Sequence, residues 1–97
     1  MISLRFPDGS KQITSAPFIS IGLFPGNDIV LDDKYVSRRH AIIVNFPDDV
    51  WLYDLESTSG TMIDKDPVCG RVFLDGVHQI TIGKSVIEVA AQANLLI

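Results

Sequence analysis

"HAIIVNFPDDVWLYDL", residues 40–55, sets two runs of alternating apolar side chains on either side of one turn. His40, Ile42, Val44 and Phe46 share one parity, Trp51, Tyr53 and Leu55 share another, and Pro47-Asp48-Asp49 stands between them. Successive side chains of a strand point to opposite faces, so a period of two broken by Pro-Asp-Asp reads as two half-buried strands and a turn. Parity directs Ile42, Val44 and Phe46 to the core and Arg39, Ala41, Ile43 and Asn45 to the outer face. His40 then falls on the inner side at the strand's start, where a neutral, hydrogen-bonded imidazole is expected. Strict extension would also turn Arg38 inward, which is costly for an unpaired guanidinium. Ser37 and Arg38 are therefore assigned to a loop ahead of the strand, with side chains free to meet a ligand.

The same period extends along the chain. Ile2, Leu4 and Phe6 alternate with Ser3 and Arg5, and Ile19, Ile21 and Leu23 alternate with Ser20 and Gly22. Turn signals recur at Pro7-Asp8-Gly9-Ser10, Pro25-Gly26-Asn27-Asp28, Asp75-Gly76 and Gly83-Lys84-Ser85. No segment keeps a 3.6-residue apolar pattern long enough for a helix, and β-branched residues are spread throughout. Many short strands with turns about every ten residues predict an all-β sandwich or barrel.

At 97 residues the chain has the size of one domain, 1–97, with room for one core. Its 46% hydrophobic and 21% charged residues are those of an ordinary globular protein. The longest aliphatic run, Ala41 to Val44, is far too short to span a membrane, and no charged-then-apolar leader is evident. The single cysteine, Cys69, is expected to be a reduced, partly buried thiol, and the chain is read as cytoplasmic. A net charge of −4 argues against nucleic acid or an anionic membrane as partner, since both need a basic face. Any anion must be caught locally. The final stretch, Asn94-Leu95-Leu96-Ile97, suggests either a module excised from a longer protein or a last strand or tail docked on the core.

A second polar cluster, "DLESTSGT" at residues 54–61, gathers Ser57, Thr58, Ser59 and Thr61 around Gly60. Gly60 can take the positive φ of a sharp reversal, and the hydroxyls can cap the turn or donate to an anion. A hydrolytic triad of Ser37, His40 and Asp54 is not expected: three residues apart on an extended strand, the serine and histidine point to opposite faces. No Gly-x-Ser-x-Gly elbow is present. His40, His78 and Cys69 have no metal-ligand spacing, and Leu31-Asp32-Asp33-Lys34 lacks a calcium loop's alternating acids. Neither a metal, a cofactor nor an enzyme activity is expected.

Taken together these segments resemble the forkhead-associated (FHA) domain. Gly22, "NDIVLDD" (27–33), "SRRH" (37–40), "DLESTSGT" (54–61) and "ITIG" (80–83) follow that family's motifs in order and spacing over about residues 18–89. The resemblance implies a β-sandwich of about eleven short strands in two sheets. It also implies recognition of a phosphothreonine peptide of a partner protein by loops at one end. By the same likeness Ser37 hydrogen-bonds the phosphate, Arg38 adds a cation, and Thr58 bonds the phosphate or the peptide beside it. Gly22, His40 and Gly60 are architectural. A phosphate carries nearly two charges and three strong acceptors, which suits hydroxyls, N–H groups and arginine.

Two positions depart from the family pattern. Leu23 stands where the family has a phosphate-binding arginine, and Ser59 stands where it has an asparagine that bonds the peptide main chain. Leu23 shares the parity of Ile19 and Ile21 and would prolong their buried face. Lys34 is the cation best placed to compensate, although Asp32 and Asp33 adjoin it. An alternative therefore stands beside phosphopeptide recognition: a degenerate FHA scaffold used for phosphate-independent assembly in a larger protein or secretion-type machine.

Overall fold

The structure, a computed structural model, describes residues 1–91; the tail expectation for residues 94–97 lies outside them. Among the described residues there are eleven strands and no helix. They are β1 (Ile2–Arg5), β2 (Lys11–Thr14), β3 (Phe18–Gly22), β4 (Ile29–Val30), β5 (Ala41–Asn45), β6 (Val50–Asp54), β7 (Thr61–Ile63), β8 (Asp66–Pro67), β9 (Arg71–Leu74), β10 (Gly76–Ile82) and β11 (Ser85–Ala91). Two sheets form, ordered β2-β1-β11-β10-β7-β8 and β4-β3-β5-β6-β9. The predicted two-sheet sandwich is thus the observed architecture.

Isoleucine, leucine and valine at alternate positions supply the facing layers. Ile2 and Leu4 of β1, Ile80 and Ile82 of β10, and Ile87 and Val89 of β11 are buried from one sheet; Ile19 and Ile21 of β3 and Leu52 of β6 are buried from the other. Together with their neighbours they make one apolar core. Fully burying such a side chain is worth about 1.5–3 kcal/mol, so the alternation is the main determinant of which way each strand faces.

The parity expected for β5 is reversed. Ala41, Ile43 and Asn45 point into the core, whereas Ile42 and Val44 are only half-buried and Phe46 is exposed. The reason lies in the register: Ile43 and Ala41 sit opposite Ile19 and Ile21 of β3, whose buried face is unambiguous, and Ile43 sits opposite the buried Leu52 of β6. A central strand takes its facing from both neighbours. Asn45 is accommodated because its Nδ2 donates to the carbonyl of Ala16 at 3.1 Å, pinning the segment between β2 and β3. Cys69 is a second correction: it is an exposed free thiol in the turn before β9, where Gly70 takes a φ of +81°.

The strand ends gather several connecting loops at one pole. In the five-stranded sheet β3 ends, β5 begins and β6 ends together, with Ile21 opposite Ala41 and Ala41 opposite Asp54. In the six-stranded sheet β7 begins opposite the end of β10, with Thr61 opposite Ile82. The β4–β5, β6–β7 and β10–β11 connections consequently converge.

Candidate binding site at the loop rim

The rim is built on His40. Its ring is fully buried; Nδ1 accepts the backbone N–H of Ser37 at 3.0 Å and Nε2 donates to the carbonyl of Gly60 at 2.9 Å. Those partners assign the neutral Nε2–H tautomer. One imidazole thereby ties the β4–β5 loop, which carries Ser37, to the β6–β7 loop, which carries Gly60. The backbone repeats the tie, since Leu55 N–H donates to the carbonyl of His40 at 2.9 Å. His40 is inward as expected, because it precedes β5 rather than because of the strand's parity.

Arg38 is held by its main chain. Its carbonyl accepts from Phe24 N–H at 3.1 Å and from Asn27 Nδ2 at 2.7 Å. Gly22 lies directly beneath: a Cβ there would stand 2.2 Å from that oxygen, so only glycine admits the approach. With its backbone fixed, the Arg38 side chain is exposed and forms no ion pair among the described residues.

The β6–β7 loop is capped by Asp54. Its carboxylate accepts from the hydroxyls of Ser57 at 2.6 Å and Thr61 at 2.7 Å and from Ser57 N–H at 3.2 Å. Desolvation pushes its pKa up, but these hydrogen bonds outweigh it and hold the group below the usual carboxylate range. Ser57 Oγ in turn accepts from Gly60 N–H at 3.0 Å, where Gly60 turns the chain with φ +86°. Ser57 and Thr61 are thus spent inside the loop, and Thr58 and Ser59 are left at its exposed tip.

There the two loops meet. Thr58 N–H donates to Ser37 Oγ at 3.1 Å, and Ser59 Oγ donates to the carbonyl of Tyr35. Ser37 Oγ has accepted one hydrogen bond and its own proton has no partner among the described residues. The Thr58 side chain is likewise uncommitted. A cleft of about 230 Å³ opens between the loops, lined by Lys34, Tyr35, Val36, Ser37, Thr58 and Ser59. A second, of about 300 Å³, continues past Tyr35 and Ser59 to Met62, Thr81 and Lys84.

Lys34 and Lys84 flank the Tyr35 ring, with Nζ 5.3 and 5.6 Å from its centroid. Asp33, which by sequence threatened to repel an anion, turns its carboxylate to the backbone N–H groups of Lys84 at 2.6 Å and Tyr35 at 2.9 Å. Those two bonds, with the Lys84 charge behind them, hold its pKa below the usual value. Leu23 packs its side chain against the core, leaving its place in the rim without a cation.

The FHA domain family profile matches residues 19–83. The chain belongs to the FHA domain family. Glycogen accumulation regulator GarA of Mycolicibacterium smegmatis is 37% identical over 76 residues, covering 78% of this chain and 48% of that protein. The chain spans about half the length of the curated relatives it matches. Among solved structures, Mycobacterium tuberculosis EmbR in complex with a low-affinity phosphopeptide superposes with a TM-score of 0.87 at 29% identity, over 96% of this chain and 25% of EmbR. A structure from an analysis of phosphothreonine-dependent FHA domain interactions gives 0.83 at 31% identity, over 92% of this chain and 94% of that one.

In this FHA domain the residues singled out by sequence gather at one rim. Ser37, Arg38, Thr58, Ser59 and Lys34 are on it, with Gly22, His40 and Gly60 beneath. Three contributors escaped the sequence reading. Lys84 lies in the distant β10–β11 turn, whose "GKS" signalled only a reversal; Tyr35 contributes through its carbonyl and the face of its ring; Asn27 acts by an amide hidden in the "NDIVLDD" segment.

Proposed function

We propose that this FHA domain recognises a phosphothreonine-bearing segment of a partner protein and thereby mediates a regulated protein–protein interaction. The observation that carries the reading is the 3.1 Å contact from Thr58 N–H to Ser37 Oγ, which joins two loops remote in sequence beside the exposed Arg38, whose guanidinium forms no ion pair among the described residues. In this assignment Ser37 donates to a phosphate oxygen, Arg38 adds a charge-assisted bond, and Thr58 donates from its side chain. Lys34 supplements the positive charge. Ser59, whose proton is used on Tyr35, accepts from the peptide main chain. The likeness to EmbR and to GarA, a phosphopeptide-bound protein and a regulator by their names, supports a binding module rather than an enzyme. We place it in the cytoplasm as one module, residues 1–97, of a longer protein. No helix among the described residues is long and apolar enough to cross a membrane.

A second reading, a scaffold used for phosphate-independent assembly, is favoured by one observation: the side chain at position 23 is committed to the core. Losing one charge-assisted phosphate bond costs about 1.5–3 kcal/mol, or roughly ten- to 150-fold in affinity. Calorimetric titration with matched threonine and phosphothreonine peptide pools separates the two. Binding that requires the phosphate and is lost in Ser37→Ala and Arg38→Ala supports recognition. No binding by the parent, with binding gained in Leu23→Arg, supports the scaffold.

A further inference from the structure

The outer face of the β4-β3-β5-β6-β9 sheet carries a band of apolar side chains that the rim does not use. Register places Phe18, Val44, Trp51 and Phe73 in one row across four strands, with Ile42 and Tyr53 in the next row toward the rim. Phe46 adjoins from the β5–β6 turn. Phe18 and Phe46 meet edge to face at 5.7 Å, and Trp51 and Phe73 do so at 5.3 Å. The ring pairs hold each other in place, so little rotamer freedom is left to lose on docking.

We propose that this face pairs two copies of the chain, sheet against sheet. Three observations select a second copy as the occupant. First, area: Phe18, Phe46 and Phe73 are 54%, 43% and 44% exposed, which at about 200 Å² per ring residue offers about 300 Å². The half-buried Trp51, Tyr53, Ile42 and Val44 raise the apolar patch to roughly 400–500 Å². A homodimer of standard size buries about 800 Å² per partner, about 65% of it apolar, and so needs an apolar patch of about this size. Second, chemistry: the charged group on the rows themselves is Arg71, whose guanidinium lies 4.9 Å over the Trp51 ring. Aromatic residues and arginine are what interface centres favour.

Third, charge is arranged to match itself. Arg71 marks the rim side of Trp51, while Asp49, which accepts from Trp51 Nε1 at 3.4 Å, and Asp48 mark the opposite side in the β5–β6 turn. A two-fold axis lying in the interface and running across the strands brings the arginine of each copy toward the acidic turn of the other. Such isologous pairing closes on itself. The two rims then point in opposite directions, and each stays open.

Sedimentation equilibrium of the 97-residue chain from about 1 μM to about 1 mM tests this. A monomer–dimer equilibrium is expected. Phe73→Asp and Phe46→Asp, each checked for native circular dichroism, should raise the dimer dissociation constant at least about tenfold. Arg71→Glu should weaken the dimer, and adding Asp48→Lys with Asp49→Lys should restore it. A monomer at every concentration overturns the proposal and leaves the face to a different protein. A dimer indifferent to both phenylalanine changes also overturns it, because association would then use another surface.

Discussion

His40 shows how much one side chain can organise without touching a ligand. It is fully buried, and both ring nitrogens bond to backbone on different loops. His40→Ala would leave the Ser37 N–H and the Gly60 carbonyl without partners and open a cavity, at a cost of about 2–4 kcal/mol. Urea unfolding followed by Trp51 fluorescence is the measurement, and phosphopeptide affinity should fall with it as the loops part. A second histidine gives a pH signature. His78 Nδ1 lies 2.5 Å from the Asp64 carboxylate, which raises the His78 pKa, and the same bond lowers that of Asp64. The raised group stabilises the fold fully below its unfolded value of 6.5 and loses that contribution as pH rises through its folded value. The lowered group stabilises above its unfolded value of 3.8 and loses that contribution as pH falls through its folded value. The stability difference between the parent and His78→Gln should therefore be largest around pH 5 and shrink toward alkaline pH, as followed by thermal unfolding across that range.

At the scale of elements, two glycines of the rim make opposite demands. Gly22 has no room for a Cβ, whereas a Cβ on Gly60 would meet nothing within 4 Å but would sit on a backbone of φ +86°. Gly22→Ala must displace the Arg38 carbonyl and should cost about 1–3 kcal/mol while also weakening phosphopeptide binding. Gly60→Ala should cost about 1–2 kcal/mol through backbone strain, with a smaller effect on binding. Parallel denaturation and titration of the two variants separate these outcomes. The rim was legible in the sequence because its residues lie in two short polar segments, one at residues 34–38 and one at 58–59 beside Gly60, whose order and spacing resemble the FHA pattern. The facing of β5 was not. In "AIIVN" both parities are apolar, and the tie is broken by Ile19, Ile21 and Leu52 on neighbouring strands, which pattern within the segment cannot weigh. The misleading signal has a physical source: Ile42, Val44 and Phe46 belong to the apolar outer face that we assign to self-association. Lys84 was illegible for a related reason, since the β10–β11 turn reaches the rim through the pairing of β10 with β7 and the Asp33 to Lys84 hydrogen bond, both remote in sequence.

For the molecule as a whole, the pairing of β1 with β11 sets the folding problem. Ser3 lies opposite Ala90, so the six-stranded sheet forms only when segments from the two ends of the described chain meet. Folds dominated by such long-range pairing fold in milliseconds to seconds, and stopped-flow refolding monitored through Trp51 should show that timescale. Ser3→Pro, which removes an N–H from a strand paired on both sides, should accelerate unfolding or prevent folding outright.

The same pairing fixes where a leash can be attached. From the Gly83-Lys84 turn at the rim, the seven residues of β11 run about 24 Å away before reaching Ala91, beside the start of β1. Polypeptide fused before β1 or after β11 would thus be anchored at the pole remote from Ser37 and Thr58. Cargo tethered there would swing clear of an arriving peptide, so the domain could be grafted into unrelated chains with its mouth unobstructed.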